Sequence, residues 1–370
     1  MIYNVYKYVT EAAHVQFFTH KRSVGAIAVS PAERPSQRAH GLCGALDRHF
    51  FHTWTPLFSY VPVLGAAERF VVRYGFYGVE IFLFLSGLGM VFSIEKHTVG
   101  GFYYNRFGKL LLPYAAVAVV RAVVERWTAK EAAMLLSGYA FIFKNAYSFL
   151  WYVQTIAVYY LLFPLYYAGM RRSRRPIAYT LAALGIWLTL TLLATSPAFD
   201  NLKVLTNRIP VFLIGVLFGE LAKRDRLPSC KKLLPCAAVL FAAGLFTCFV
   251  DFFYGVPASL KILASPVANI LTALPLCLFL SLLFDRLPRG LSFVARFFGF
   301  LGTISLELYC VQDLYARNIL IGCLRGLPAP VYNVAVLLWT IAISWPAHWL
   351  FTKAWNAINK RRAAKNAGKA

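Results

Sequence analysis

Apolar residues run along this chain in blocks long enough to cross a bilayer, each closed by a short polar stretch. A bilayer-spanning helix needs about 20 mainly apolar residues. Such blocks cover residues 75–94, 110–124, 150–170, 177–195, 209–222, 233–253, 263–284, 297–316 and 330–351, with 110–124 and 209–222 on the short side. The blocks predict nine helical spans. Residues 131–143 are apolar but too short to cross, and read as a re-entrant or surface helix. Pro113, Pro164, Pro210, Pro266 and Pro275 lie in or near these helices, where proline kinks or starts them. No internal repeat is visible, so the fold class is a single all-α integral membrane domain.

The loops set the expected topology. The tail at 353–370 holds Lys353, Lys360, Arg361, Arg362, Lys365 and Lys369, which the positive-inside rule places in the cytoplasm. Counting back, every second loop is again basic. These carry Arg286, Arg289 and Arg296; then Lys223, Arg224, Arg226, Lys231 and Lys232; then Arg171, Arg172, Arg174 and Arg175; then Lys96, Arg106 and Lys109. The opposite loops are poorer in cations, and only residues 121–149 blur the contrast. This register needs one more crossing before residue 75, giving about ten transmembrane helices with N- and C-termini cytoplasmic. The transmembrane domain is then 38–352, after an uninformative segment 1–37. Its first stretch, 38–74, is atypical: Pro, Arg, His, Ser, Gln and Asp crowd Pro31 to His52, where a span is required.

Composition agrees with a bilayer protein. The chain is 59% hydrophobic and 14% charged, with a mean hydropathy of +0.59. A soluble chain carries about 25% charged and 45–50% apolar residues. The formal charge of +23 would suit nucleic acid, but the cations sit in short loops between apolar blocks, so no nucleic-acid partner is expected. The seven cysteines have neither C-x-x-C spacing nor a histidine cluster, so they are expected as buried free thiols, with no metal site. The first 30 residues lack the compact apolar region and small-residue site of a cleavable signal peptide.

Several residues stand out for chemistry. Glu80 sits one turn into its apolar block, where a mid-membrane carboxylate costs roughly 2.5–3.5 kcal/mol and so needs a cavity or a partner. Ser86-Gly87 follows in the same block; small residues there also permit close helix packing. Arg106 and Lys109 share one helix face at i, i+3, with Pro113 a turn later. Two cations so placed either anchor the membrane edge or hold phosphates, which arginine grips bidentately and lysine as a point charge. Phe149-Leu150-Trp151-Tyr152 opens one later block and Arg208-Ile209-Pro210-Val211-Phe212-Leu213-Ile214-Gly215 another. Gly302-Thr303-Ile304-Ser305-Leu306-Glu307-Leu308-Tyr309 lies inside a third.

In order and spacing these segments, over about residues 75–350, resemble the acyltransferase family 3 membrane enzymes, which acylate sugars and other cell-surface molecules. Lys109 stands where the family's Arg-x-x-Arg turn has its second arginine, and Gln312 where many relatives carry histidine. The resemblance implies acyl transfer from acyl-CoA, most simply acetyl-CoA, to a hydroxyl of a cell-surface or envelope glycan or glycolipid. The acyl-CoA is a co-substrate, with no bound cofactor, and the protein sits multi-pass in the plasma or inner membrane. Such a reaction needs a base near neutral pH, which suits histidine. The family's base ends an Arg-x10-His motif; Arg38 and His49 have that spacing, and His52 and His40 are neighbouring rivals. The implied catalytic set is His49, His52 and Glu80, with Arg106 and Lys109 binding the donor. Arg38, Ser86, Trp151, Arg208, Ser305 and Tyr309 are motif residues. His97 and His348 read as solvated or interfacial.

Between Arg38 and His49 the chain holds His40, Asp47 and Arg48, and the last two alone would cost about 5–7 kcal/mol at mid-membrane. Two explanations stand. Either the first span is distorted, or this stretch is translated out of frame, leaving an impaired enzyme. Gly41 to Thr53, shifted by one nucleotide, permits Ala-Cys-Ala-Val-Leu-Trp-Ile-Val-Ile-Phe-Ser-Ile-His, an apolar run ending in histidine. A multi-span transporter or flippase of an envelope precursor shares the aromatic and buried polar residues. Its mark, related halves with paired broken helices, is not found in the pattern. A scaffold subunit of an envelope-synthesis complex is the third reading.

Overall fold

The computed structural model describes residues 54–144, 150–193, 200–228, 230–316, 322–324 and 326–367. Its helices are α1 (Pro62–Tyr74), α2 (Tyr77–Ile94), α3 (Val99–Val124), α4 (Ala129–Leu136), α5 (Tyr139–Phe143), α6 (Trp151–Arg172) and α7 (Pro176–Leu193). They continue with α8 (Asp200–Thr206), α9 (Ile209–Lys223), α10 (Cys230–Phe253), α11 (Ala258–Arg286), α12 (Ser292–Thr303), α13 (Ser305–Ala316) and α14 (Ala329–Ala367). Among the described residues there is no strand. Over its described residues every apolar block of the sequence is largely helical, and 131–143 falls on the short helices α4 and α5.

Seven helical stretches among the described residues are long and apolar enough to cross a membrane, and α12 with α13 makes an eighth if that bent pair is one span. α6 is 22 residues, roughly 33 Å, but its tyrosines and Gln154 dilute its apolarity. One face of it buries Val153, Ile156, Tyr159, Phe163, Tyr167 and Met170, while Leu161, Leu162 and Leu165 are exposed. α2 is buried almost all round and packs chiefly on α9. α7 and α10 instead leave Leu181, Ile186, Leu193, Val239 and Phe246 exposed. Such large bare apolar surface on long helices belongs against hydrocarbon, where each helix satisfies its own backbone. The protein is a multi-pass membrane protein.

Boundaries depart from the blocks for local reasons. α3 begins eleven residues before its block because Thr98 caps it, Oγ1 accepting from the Gly101 N–H at 3.2 Å. Arg106 and Lys109 therefore lie within its first three turns. The block 297–316 breaks at Ile304 into two helices bent by 65°. The Thr303 hydroxyl donates to the Gly299 carbonyl at 3.0 Å, a back-bond that bends helices. Pro210 starts α9, whereas Pro113, Pro164, Pro266 and Pro275 lie inside helices. Of the described cysteines, Cys248 and Cys310 are buried thiols, but Cys236 is exposed, against expectation.

The cations of one end are cross-linked. Lys223 pairs with Glu95, and Arg224 donates from Nε to buried Glu220 at 2.7 Å and from Nη1 and Nη2 to the Ser173 and Arg171 carbonyls at 3.3 Å. The Tyr167 hydroxyl also donates to Glu220, at 2.9 Å. These bonds gather the ends of α2, α6 and α9 at one basic end. Arg121, one of the cations of residues 121–149 that blur the loop contrast, is buried and paired in two bonds of 3.0 Å with Glu125, under the Trp127 ring. Its charge is neutralised where it stands.

Candidate functional site

Two clusters of the sequence-predicted residues form. The first assembles where α2, α6 and α9 begin. Glu80 is fully buried in the first turn of α2, and Arg208 immediately precedes α9. Pro210 presets the first turn of α9, which fixes where the Arg208 side chain departs. Arg208 Nε lies 2.9 Å from Glu80 Oε1, and Nη1 donates to the Val204 carbonyl at 2.8 Å. The guanidinium carbon stands 4.7 Å from the Trp151 ring centroid. One arginine thus joins a carboxylate and an indole from three separate motif segments. A desolvated pair of this kind holds only because each charge compensates the other.

Trp151 opens α6 behind Leu150, whose backbone is left-handed at φ 50°. The Tyr152 N–H, one of the first-turn donors a helix cannot satisfy itself, donates to the Tyr309 hydroxyl at 3.0 Å. Tyr309 is therefore a cap for α6, its ring 5.2 Å from that of Tyr152. Ser305 is half-buried at the first residue of α13, beside the bend.

Ser86-Gly87 serves packing. A side chain on Gly87 would strike the Phe212 carbonyl, one on Gly215 the Phe84 carbonyl, and one on Gly219 would lie 2.8 Å from the Leu88 carbonyl oxygen. α2 and α9 cross backbone to backbone along these glycines, as small residues allow in membranes. Ser86 is half-buried beside that crossing.

The second cluster stands at the basic end, on α3. The Arg106 guanidinium lies 5.9 Å from both the Phe102 and Tyr160 rings, and Lys109 is exposed one turn on. Between them, the Trp355 indole of α14 covers Gly108. The Tyr104 hydroxyl donates to Asn359 at 3.1 Å, with Arg362 3.9 Å over the Tyr104 ring. In the preceding loop, burial first, then Arg106 and Lys96, holds His97 below its usual imidazole range. From Glu80 to Ile94 is fourteen residues, roughly 21 Å of helix. On α3, Arg106 and Lys109 stand seven and ten residues in from that same end, roughly 10 and 15 Å, so they lie between it and the level of Glu80.

The sequence model of acyltransferase family 3, described as an acyltransferase domain, matches residues 49–349. The chain belongs to that family. Neither the curated proteins nor the solved structures gave a match. The match takes in the first cluster, Arg106 and Lys109, and all the motif segments from Glu80 to Tyr309, while Arg38 precedes it and Trp355, Asn359 and Arg362 follow it.

Arg38, His40, His49 and His52 lie outside the described residues, as does the stretch open to a frame shift. The described chain of this acyltransferase starts just after them and is firmly tied down. The Thr55 N–H donates to Asn333 Oδ1 and Asn333 Nδ2 donates to the Thr55 carbonyl, both at 2.9 Å. Trp54 Nε1 and the Leu57 and Phe58 N–H groups all donate to Glu68, at 2.7–2.9 Å.

Sequence reasoning missed two buried carboxylates. Glu220 ties the basic end as described. Glu307, 7% exposed, sits 3.0 Å from Nδ1 of His348, which is 30% exposed. His348 is thus no plain interfacial residue. The signal was present: a glutamate inside an apolar block needs a partner.

Proposed function

We propose that the protein is a membrane-bound O-acyltransferase that moves an acyl group, acetyl first and succinyl second, from acyl-CoA to a hydroxyl of an envelope glycan, free or lipid-linked. The match over residues 49–349 carries this reading. The basic end faces the cytoplasm of the plasma or inner membrane, by the positive-inside rule, and the full chain has ten spans with both termini inside. Arg106 and Lys109 receive the phosphates of the donor there, a role supported by their sharing one face of α3 beside the half-buried His97. Glu80, Arg208 and Trp151 hold the starts of α2, α6 and α9, which must stay in register around the acceptor.

The reaction joins the acceptor oxygen to the acyl carbon and expels the CoA thiol. A base must take the hydroxyl proton, and the resemblance marks His49, with His52 beside it, for that task. The test uses purified protein with labelled acetyl-CoA and envelope glycans. Label transfer with release of CoA is expected. Movement of an intact precursor across vesicles without thioester consumption would overturn the reading in favour of transport.

A further inference from the structure

We infer that the acceptor is an acidic glycan, one acidic sugar unit of which is held by Arg69 and Arg73 in a cleft between α1 and α10; this deepens the transferase reading above and rests on it. The cleft measures about 320 Å³ and is lined by Pro56, Glu68, Arg69, Val72, Arg73 and Phe252. Small-molecule sites run from about 300 to 1,000 Å³, so there is room for a single sugar unit. From Glu68 to Ile94 is 26 residues, roughly 39 Å of helix, which sets the cleft at the end remote from the basic one. By the positive-inside rule that end faces the envelope.

The lining offers more hydrogen-bond donors than it uses. Arg69 and Arg73 are exposed and four residues apart, on one face of α1. Arg69 makes no hydrogen bond or ion pair among the described residues. Arg73 donates from Nη2 to Asp251 Oδ2 at 3.3 Å, and its guanidinium carbon stands 5.9 Å from the Phe252 ring centroid. The Arg73 and Asp251 side chains are 51% and 26% exposed, and an ion pair so solvated is weak. The carboxylate of the lining is already engaged, since Glu68 accepts from Trp54 Nε1 and from the Leu57 and Phe58 N–H groups. Two guanidiniums with open N–H groups suit a carboxylate or phosphate, which arginine grips bidentately. Asp251 is then the internal competitor, which an incoming anion replaces on Arg73. Pro56, Val72 and Phe252 supply apolar walls for the body of the sugar.

The walls are fixed to each other. The Tyr74 hydroxyl donates to the Cys248 carbonyl at 2.7 Å and to Asp251 at 3.1 Å, and the Tyr77 hydroxyl lies 3.0 Å from Cys248 Sγ. These contacts tie α1 and α2 to α10, and the cleft is therefore preformed. Pro56 follows His52 by four residues, so in the chain the cleft adjoins the segment that the resemblance marks for the base. Two cations at a membrane edge also suit the phosphate of a bilayer lipid, and the experiment separates the two sources.

That experiment measures equilibrium binding of labelled glucuronate to the purified full chain in neutral detergent, without acyl-CoA, and then acetyl transfer to an acidic and a neutral polysaccharide. Glucuronate and glucose 6-phosphate should bind at least about tenfold more tightly than glucose. Arg69→Gln should weaken glucuronate about tenfold or more at an unchanged melting temperature, and Arg69→Lys should recover part. Asp251→Asn should tighten it, a gain that a purely structural role would not give. Absence of saturable glucuronate binding overturns the inference, as does equal binding of glucose or indifference to Arg69→Gln. Loss of glucuronate binding when phosphatidylglycerol enters the micelles also overturns it, and assigns both arginines to lipid. Wild-type protein that binds glucuronate but consumes no acyl-CoA overturns the transferase reading and leaves a sugar site. Active transfer with the same KM for the acidic polysaccharide in wild type and Arg69→Gln removes only the cleft.

Discussion

Glu80→Gln keeps the shape of the side chain and removes its charge, leaving Arg208 with 12% of its side chain exposed and no opposite charge at 2.9 Å. Breaking a buried ion pair by deleting one partner costs about 3–5 kcal/mol. Arg208→Met strands fully buried Glu80 at a similar cost and loses more besides. The bond to the Val204 carbonyl is worth about 1 kcal/mol, and the stacking on Trp151 up to about 2 kcal/mol. Arg208→Met is therefore the worse of the two single changes. The double variant leaves no stranded charge, so its cost should fall short of the summed single costs by about 2–3 kcal/mol. Equilibrium unfolding in mixed detergent micelles, followed by far-ultraviolet circular dichroism, reads all four states of the cycle. Single effects that add within about 0.5 kcal/mol would refute the coupling and mean that each charge is solvated separately.

Other outcomes follow from single contacts. Gly215→Ala drives a methyl into the Phe84 carbonyl and should cost about 1–3 kcal/mol, whereas Gly185→Ala, with nothing within 4 Å, should be neutral or stabilising; equal melting shifts would deny the tight α2–α9 crossing. Arg106→Gln and Lys109→Gln should each raise KM for acyl-CoA about tenfold or more, and Arg106→Lys should recover only part; unchanged KM would leave both as plain membrane anchors. His97 is held below its usual value, so it binds its proton more weakly folded than unfolded. Its share of stability is present above about pH 6.5 and is lost as pH falls through the folded value. His97→Gln should flatten the drop in melting temperature between about pH 7 and pH 5, and an unchanged slope would show that His97 carries none of it.

The apolar blocks located every described helix of 15 residues or more, though not the 13-residue α1, because burial in hydrocarbon leaves little choice but a helix at those lengths. They could not show the break at Ile304, since the block is apolar on both sides and the bend comes from a hydroxyl back-bond. They stopped α3 too late at its start because Val99 to Lys109 mixes polar and apolar residues, while the true boundary is the cap at Thr98. Glu80, Trp151 and Arg208 each stood out by residue type, but their meeting depends on contacts between segments 57 and 71 residues apart in the chain, by subtraction of their numbers. His348 looked terminal because basic residues begin at Lys353. In fact α14 runs on through Pro346 to Ala367, which leaves His348 inside the helix and opposite Glu307.

Three glutamates are buried among the described residues, Glu80, Glu220 and Glu307. A carboxylate in an apolar bundle survives only with a partner, and each has one within 3.0 Å. The partners differ in kind. Glu80 faces Arg208 and Glu220 faces Arg224, both permanently charged guanidiniums that can tie helices together but cannot exchange a proton near neutral pH. Glu307 faces an imidazole, which can. That pair joins α13 to α14, seven residues along α14 from the Trp355 that covers Gly108.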